Sequence, residues 1–447
     1  MELIKLAIQN PWWENSSSIE KDEKLIDALK VGKMLYEFDI KENTIIFGPR
    51  QVGKTTMLKI FIFDLIKKGV NPRNIFFFSC EPISKKEELI DVLSEYDKIA
   101  SSLRGNKYIF LDEITLVEDW EIAVKYYVET LKTGLFLATG SNASLLKRGT
   151  ERLPGRNINI RFFLPLTFRE FLIKFGSDNL KDILLKNELN KINLQNINEK
   201  IIQISPFVRE IDSKFNIYLN AGGYIKAICE YMDGGIKEST YRTYVSWILG
   251  DLSKMEKRES IFQGIIRGVT SKYTSSFSLN SFSKEMEIKS HVTVSEYLDT
   301  LQNLLLINNL YQIDLNKKVP LYRKDRKAYF LDPFMYSVFK GYSFGVYKDY
   351  IDEEKIIEGI VCESLKRLCK ERSDADKFLF FYKNKSETDF VFKSGNLIGI
   401  EVKHGKAEKR DFKNYFAFKE KILLNKSVLN YEDNFLICPS SLFLALL

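Results

Sequence analysis

Eight consecutive residues, Gly48-Pro49-Arg50-Gln51-Val52-Gly53-Lys54-Thr55, fit the pattern GxxxxGK[ST], whose chemistry is phosphate capture. Its glycines let backbone N–H groups turn inward around an anion, and the start of a following helix adds a favourable dipole. In that pattern Lys54 reaches the β- and γ-phosphates of a nucleotide and the Thr55 hydroxyl completes the coordination of Mg²⁺. Thr56 carries the loop into the helix, so 48–56 is the expected cradle for ATP and Mg²⁺.

A second constellation lies downstream. Tyr108-Ile109-Phe110-Leu111-Asp112-Glu113 is an apolar run ending in two carboxylates. A strand there delivers both acids to the carboxyl edge of a parallel sheet, where ligands bind in such folds. Asp112 is then expected to hold the metal through water, and Glu113 to orient and deprotonate an attacking water. Capping of the next helix is the competing explanation for acids at this point. The run LFLATGSN ends in Ser141 and Asn142, either of which could touch the γ-phosphate or the water; Asn142 is carried as the candidate, and the choice between them stays open. Arg148, Arg152 and Arg156 follow, and an arginine there could stabilise transition-state charge, or simply be solvated.

The elements needed to position these groups occur in the required order. The strand TIIF precedes the glycine loop and the helix TTMLKIFIFDLIKK follows it. Strands are expected over 44–47, 74–80, 108–111 and 135–139, with helices over 54–68, 84–103 and 116–132; this alternation predicts a parallel sheet covered on both faces. The strand at 74–80, intervening between the loop and the acidic strand, together with the additional Glu113, resembles the catalytic-glutamate division of P-loop proteins. From about 168 the pattern turns helical. Over 256–332 three helical segments precede two short strands joined by a basic loop, the order of a winged helix-turn-helix. A helix near 353–371 and strands FLFFYKN, TDFVFK, LIGIEVK and NFLICP then predict a small α/β domain.

Composition narrows the chemistry. At 447 residues, 45% hydrophobic and 28% charged, the chain reads as globular with two to four domains. No apolar run reaches the roughly 18 residues that span a bilayer, and the start lacks a secretory pattern, so no membrane association and a cytoplasmic location are expected. Five cysteines without a CxxC pair argue against a disulfide framework or a zinc ribbon, and two histidines leave catalysis to carboxylates, Lys, Arg and metal. The net charge of +7 permits phosphate-bearing partners without requiring them.

Together these motifs resemble the archaeal and bacterial AAA-type ATPases that carry a winged helix and a C-terminal restriction-endonuclease-like domain. The resemblance rests on Asn10 with the following PWW, GPRQVGKT, FLDEI, ATGSN, LPGR followed by LPLTFREFL, NAGGY, KAYFLDP, and ETDF with IEVK. It implies an α/β fold with an AAA-like P-loop NTPase parallel-sheet domain (1–167), a helical lid (168–255), a winged helix (256–335) and a small nuclease-like α/β domain (336–447). It also implies that Arg156, in LPGR, is the candidate arginine finger, with the choice among the three arginines still open. Trp12 and Trp13 are expected to pack a core rather than flank adenine.

In the last segment, Glu358 on a helix, Asp389 opening a strand, and Glu401 and Lys403 on the next look like the PD-(D/E)xK nuclease constellation. Period-two alternation puts Glu401 and Lys403 on one face and Val402 in the core, where two acids and a lysine could surround a metal-bound water. Charge alternation on a half-exposed strand explains EVK equally without chemistry. The basic run Lys317, Lys318, Arg323, Lys324, Arg326 and Lys327 is a candidate wing on a DNA backbone, with the helix after His291 near the groove. Three functions follow: a Mg²⁺-dependent ATPase acting as a switch on DNA or a protein partner, with self-association possible; an ATP-regulated DNA nuclease; or a nucleotide-dependent binding module without significant turnover.

Overall fold

The apolar runs TIIF, IFFFS, YIFLD and LFLATG become strands because aromatic and β-branched side chains fill both faces of a covered sheet. A computed structural model describes residues 3–36, 39–130, 134–142, 158–347, 352–369 and 372–447. The chain divides into two compact units, 1–164 with 303–305, and 165–302 with 306–447.

In the first unit, helices α1 (Leu3–Gln9) and α2 (Glu23–Val31) precede β1 (Thr44–Phe47), α3 (Lys54–Lys67), β2 (Ile75–Ser79), α4 (Lys86–Ala100), β3 (Tyr108–Asp112), α5 (Trp120–Thr130), β4 (Leu135–Gly140) and β5 (Asn159–Phe162). The sheet runs β2-β3-β4-β1-β5, and every pairing is parallel. Strand β4 thus lies between the loop-bearing β1 and the acid-bearing β3, and all three open at the same edge. The expected strands and helices are present, within a few residues of the expected ends. Phe76, Phe78, Tyr96, Trp120 and Phe136 centre the core on one side of the sheet. Trp12 and Trp13 belong to the packing: both indole N–H groups donate to the Ile75 carbonyl, at 3.0 and 2.8 Å, and Trp13 stacks on Phe76 and Tyr96.

The second unit begins with helices α6 (Phe168–Phe175), α7 (Asp178–Lys186), α8 (Leu194–Ile204), α9 (Val208–Ala221), α10 (Ile225–Met232) and α11 (Glu238–Lys254). Three more follow, α12 (Glu259–Ser271), α13 (Leu279–Glu285) and α14 (His291–Asn303). They lead into β6 (Ile307–Tyr311), β7 (Ile313–Asp314), β8 (Val319–Pro320) and β9 (Arg326–Phe330), with β6 antiparallel to β9 and β7 to β8. Thr167 caps α6 reciprocally with Glu170, which explains the TFRE run, and Arg169 is buried with its guanidinium donating to the Leu184 carbonyl at 2.8 Å.

After α15 (Pro333–Phe344) and α16 (Glu353–Arg367) comes a mixed sheet of β10 (Leu379–Lys383), β11 (Glu387–Ser394), β12 (Asn396–Val402), β13 (Glu420–Asn425), β14 (Asn430–Glu432) and β15 (Phe435–Pro439), closed by α17 (Ser440–Leu446). Its order is β10-β11-β12-β13-β15-β14. Two of these strands exceed the sequence reading: β13, which separates the IEVK strand from the last apolar strand, and the short β14. Among the described residues no helix is long and apolar enough to cross a membrane. All five cysteines are free; Cys80, Cys362 and Cys438 are buried, whereas Cys229 and Cys369 are half-buried.

Candidate nucleotide site and a second carboxylate cluster

Strand β1 ends at Phe47 and the chain turns at once into the glycine loop, where two positions tolerate no side chain. A Cβ on Gly48 would stand 2.1 Å from the Phe163 carbonyl oxygen, and Gly53 has φ 111° with the Tyr36 ring 2.7 Å from where its Cβ would lie. Gly53 caps the 14-residue α3, so the free N–H groups of that helix start face the loop. Val52 is buried; Gln51, at φ 61°, is exposed. Gly48 and Pro49 are buried as well, Thr56 is half-buried, and Arg50 approaches Glu81 at 3.9 Å.

Lys54 is 4% exposed, and its ammonium donates to the carbonyls of Gly48 (2.9 Å) and Pro49 (3.1 Å) and pairs with Glu113 at 3.4 Å. The Thr55 hydroxyl donates to Asp112 Oδ2 at 2.8 Å, so residues 57 apart in sequence meet as the motifs require. The other Asp112 oxygen is taken by Thr139, at the end of β4, whose hydroxyl donates to Oδ1 at 2.5 Å and accepts from the Glu113 N–H at 3.2 Å. Thr139 was not among the residues singled out from the sequence. Its signal was an ATG-type strand end adjoining the acid-bearing strand, which only the sheet order discloses.

Glu113 has a left-handed backbone, φ 54°, in a non-glycine residue, a strained conformation typical of ligand clamps. Burial pushes its carboxyl up, but the charges of Lys54 and Arg50 and a hydrogen bond from Ser141 outweigh burial and hold it below the usual range. Among the described residues Glu113 Oε2 is buried without a hydrogen-bond partner. Of the two polar residues after β4, Ser141 is the one that bonds Glu113; Asn142 is half-buried and has a polar contact of its own. Arg148, Arg152 and Arg156 lie outside the described residues.

Residues 41–172 match the family model of an AAA domain. The loop, the strand order and that match agree on an AAA-type P-loop fold for this part of the chain. Two further models match, both described as domains of unknown function: DUF8612 over 212–343 and DUF4143 over 353–440. The uncharacterized protein MJ1637 of Methanocaldococcus jannaschii is 26% identical over 450 residues, covering 96% of this chain and 91% of that one. An uncharacterized protein of Haemophilus influenzae is 25% identical over 300 residues, 64% of this chain and 66% of its own. Among solved structures, the Aeropyrum pernix ORC1 protein in complex with DNA aligns with 69% of this chain and 88% of its own, at 11% identity and a TM-score of 0.30, too loose to equate the two folds.

The second unit also brings its marked residues together, with an addition. Glu358 on α16, Asp389 on β11, and Glu401 and Lys403 at the end of β12 converge: Asp389 Oδ2 accepts from the Val402 N–H at 2.9 Å, and Lys403 pairs with Glu401 at 3.1 Å. Glu401 is 1% exposed, so the competing explanation of EVK as charge alternation on a half-exposed strand does not describe it. The basic run also divides. Lys317, Lys318, Arg323 and Lys324 are exposed around the β7–β8 hairpin, whereas Arg326 and Lys327 are buried in β9 and cannot serve as wing contacts. Lys327 instead enters the carboxylate cluster: its ammonium lies 2.8 Å from Glu387, 3.2 Å from Glu358 and 3.4 Å from Asp389, and Tyr329 donates to Glu358 beside it. Burial and the Asp389 charge push Glu358 up to about 8 despite Lys327, and the same two causes push Glu401 up to about 7.

Proposed function

We propose that the chain is a Mg²⁺-dependent ATPase of the AAA type, whose nucleotide cycle switches its helical and winged-helix parts between two arrangements and so acts on DNA or a protein partner. The observation that carries this reading is Glu113, a strained, charged carboxylate beside Lys54 with one buried oxygen unpartnered. The residues fit the group. Loop N–H groups between Arg50 and Thr56, with Lys54, would hold the phosphates, while the Gly48 N–H ties the loop to the Gly140 carbonyl at 3.1 Å; Thr55, with Asp112 behind it, would hold Mg²⁺. When bound, Mg²⁺-ATP supplies the phosphoryl group to be attacked, with its charge spread over metal and donors. Glu113 Oε2 orients the attacking water and takes its proton, Thr139 fixes the Asp112 carboxylate and the Glu113 backbone in place, and Ser141 or Asn142 acts as sensor. Arg156 would stabilise transition-state charge, in cis or across a self-associated pair.

The test is ATP turnover together with nucleotide binding. Lys54→Ala is expected to lose both. Glu113→Gln is expected to keep binding while turnover falls by at least about 100-fold, the usual worth of a positioned general base. Turnover indifferent to both changes would sink the ATPase reading and leave the nucleotide-dependent binding module.

The proposed organisation is a P-loop core (1–167), a helical lid (168–255), a winged helix (256–335) and a nuclease-like domain (336–447), in the cytoplasm. Exposure of Lys317, Lys318, Arg323 and Lys324 around a β-hairpin that follows three helices favours DNA as the partner. Binding should then weaken steeply with salt, and replacing these four lysines and arginines should flatten that slope. The alternative of an ATP-regulated nuclease depends on Glu358, Asp389, Glu401 and Lys403, and the contacts of Glu358 and Asp389 with Lys327 bear on it directly.

A further inference from the structure

The four residues of the nuclease-like constellation would need a divalent cation among their carboxylates, so the chemistry of the donor set decides whether one fits. Oxygen ligands sit about 2.0–2.6 Å from Mg²⁺ or Ca²⁺ and must be free to point at the ion. Here carboxylate oxygens from α16 and from two positions of β11 point instead at one nitrogen, Lys327 Nζ, at 3.2, 2.8 and 3.4 Å. An ammonium has three N–H donors and no acceptor, and this one faces three carboxylates. Its side chain has no surface exposed to bulk solvent. Among the described residues no three His, Cys, Asp or Glu side chains stand in a metal-holding arrangement.

The strand that brings the lysine is shaped for the purpose. Lys327 and Tyr329 lie two apart on β9, hence on one face, and both reach Glu358. Arg326, the register partner of Tyr311 in the antiparallel β6–β9 pair, lies instead over the Tyr311 ring. Next to the lysine's partners, Glu401 Oε1 is buried with no hydrogen-bond partner among the described residues, a donor atom of the kind a metal would engage.

We propose that Lys327 is a tethered cation occupying the divalent-metal position of the C-terminal carboxylate cluster, which closes that cluster to Mg²⁺ and Mn²⁺ while β9 stays in place. A metal ion cannot enter beside an ammonium at hydrogen-bond distance from the same oxygens without facing a charge that has no exposed surface and is therefore weakly screened. The C-terminal domain is therefore held to the β6–β9 strand pair by charge, and metal-dependent cleavage is unavailable to this arrangement. The inference does not rest on the ATPase reading, since all the groups belong to the second unit and no nucleotide is involved.

The experiment counts Mn²⁺ bound to the nucleotide-free full chain by electron paramagnetic resonance, in wild type, Asp389→Asn, Lys327→Met, and Lys327→Met with Asp389→Asn. Wild type and Asp389→Asn are expected to bind the same amount. Lys327→Met is expected to gain one Mn²⁺ per chain, to lose it again when Asp389→Asn is added, and to melt several degrees higher with Mn²⁺ than without. Should Lys327→Met fail to fold because it leaves the acids unbalanced, Lys327→Met with Glu387→Gln carries one negative charge fewer and is expected to show the same gain. A wild-type Mn²⁺ site abolished by Asp389→Asn overturns the proposal whether or not any lysine variant folds, and so does a folded lysine variant that gains no ion.

Discussion

Replacing Thr139 by Val removes one hydroxyl from the bottom of the nucleotide site and changes little else in shape. That hydroxyl donates to Asp112 Oδ1 at 2.5 Å and accepts from the Glu113 N–H at 3.2 Å, in a residue with no exposed surface. A hydrogen bond to a charged group contributes about 1.5–3 kcal/mol, and a buried N–H left unsatisfied costs about 1–3 kcal/mol, so a loss of roughly 3–5 kcal/mol is expected. For a unit of this size each kcal/mol is about 2–4 °C in Tm, which puts the unit's melting point at least ~6 °C lower. Trp12, Trp13 and Trp120 lie in the first unit and Trp247 in the second, so tryptophan emission in a Trp247→Phe background reports the first unit alone. Thr139→Ser keeps both bonds and should melt close to the parent. If the hydroxyl also holds the Asp112 carboxylate and the Glu113 backbone for turnover, kcat should fall at least about tenfold in Thr139→Val with the nucleotide KM little changed, because an orienting group acts on the reacting geometry rather than on the phosphate grip. A shift below about 2 °C together with unchanged turnover would refute both the energetic and the positional argument.

Other outcomes follow from the same geometry. Gly48→Ala must push against the Phe163 carbonyl oxygen, 2.1 Å from the new methyl, and should abolish nucleotide binding, measured by titration with a fluorescent ATP analogue, rather than only weaken it. Asp332→Ala removes the N-cap of α15 and the acceptor of the Gly223 N–H at 2.7 Å, an expected loss of about 2–4 kcal/mol by calorimetry. That loss should depend on pH: burial pushes Asp332 up to about 7, so its stabilising share is fully present below the ordinary carboxylate range and fades as pH rises towards 7. The alanine variant should accordingly lose more against wild type at pH 5 than at pH 8; the opposite trend would mean the carboxylate is held ionised. Plasmid incubated with the wild-type chain, ATP and Mg²⁺ or Mn²⁺ should stay unnicked.

Much of the nucleotide site was legible because its parts are local. GPRQVGKT carries loop, helix start and hydroxyl within eight residues, and FLDE announces a strand end with its acids, so the Thr55–Asp112 bond needed only a parallel sheet to be expected. Thr139 escaped because its role depends on β4 lying between β1 and β3, an ordering that spacing along the chain does not encode. The same limit explains the basic run. Six cations between 317 and 327 read alike in one dimension, yet Lys327 alone meets carboxylates 31, 60 and 62 positions away, on a helix and a strand that follow it. Strand β13, with ILL at its centre, was missed for the complementary reason: it pairs with β12 and β15 on either side, and only the sheet identifies so short an apolar run as its middle.

Thr139 and Lys327 bear on function in opposite ways. At the nucleotide site the unforeseen residue strengthens the expected chemistry, because Thr139 ties the Asp112 carboxylate and the Glu113 backbone to the end of β4. At the C-terminal cluster the unforeseen residue opposes it, because a lysine fills the place of the metal. A motif of acids and a lysine states only that charge is concentrated. Whether the balancing charge is a soluble ion or a side chain of the same chain depends on the neighbouring element, and here β9 supplies it. The inferred division of labour follows from that difference: the first unit keeps the unpartnered Glu113 oxygen beside the phosphate loop, while in the second Glu358, Glu387 and Asp389 share a cation the chain cannot exchange, and Glu401 Oε1 is left without a partner among the described residues.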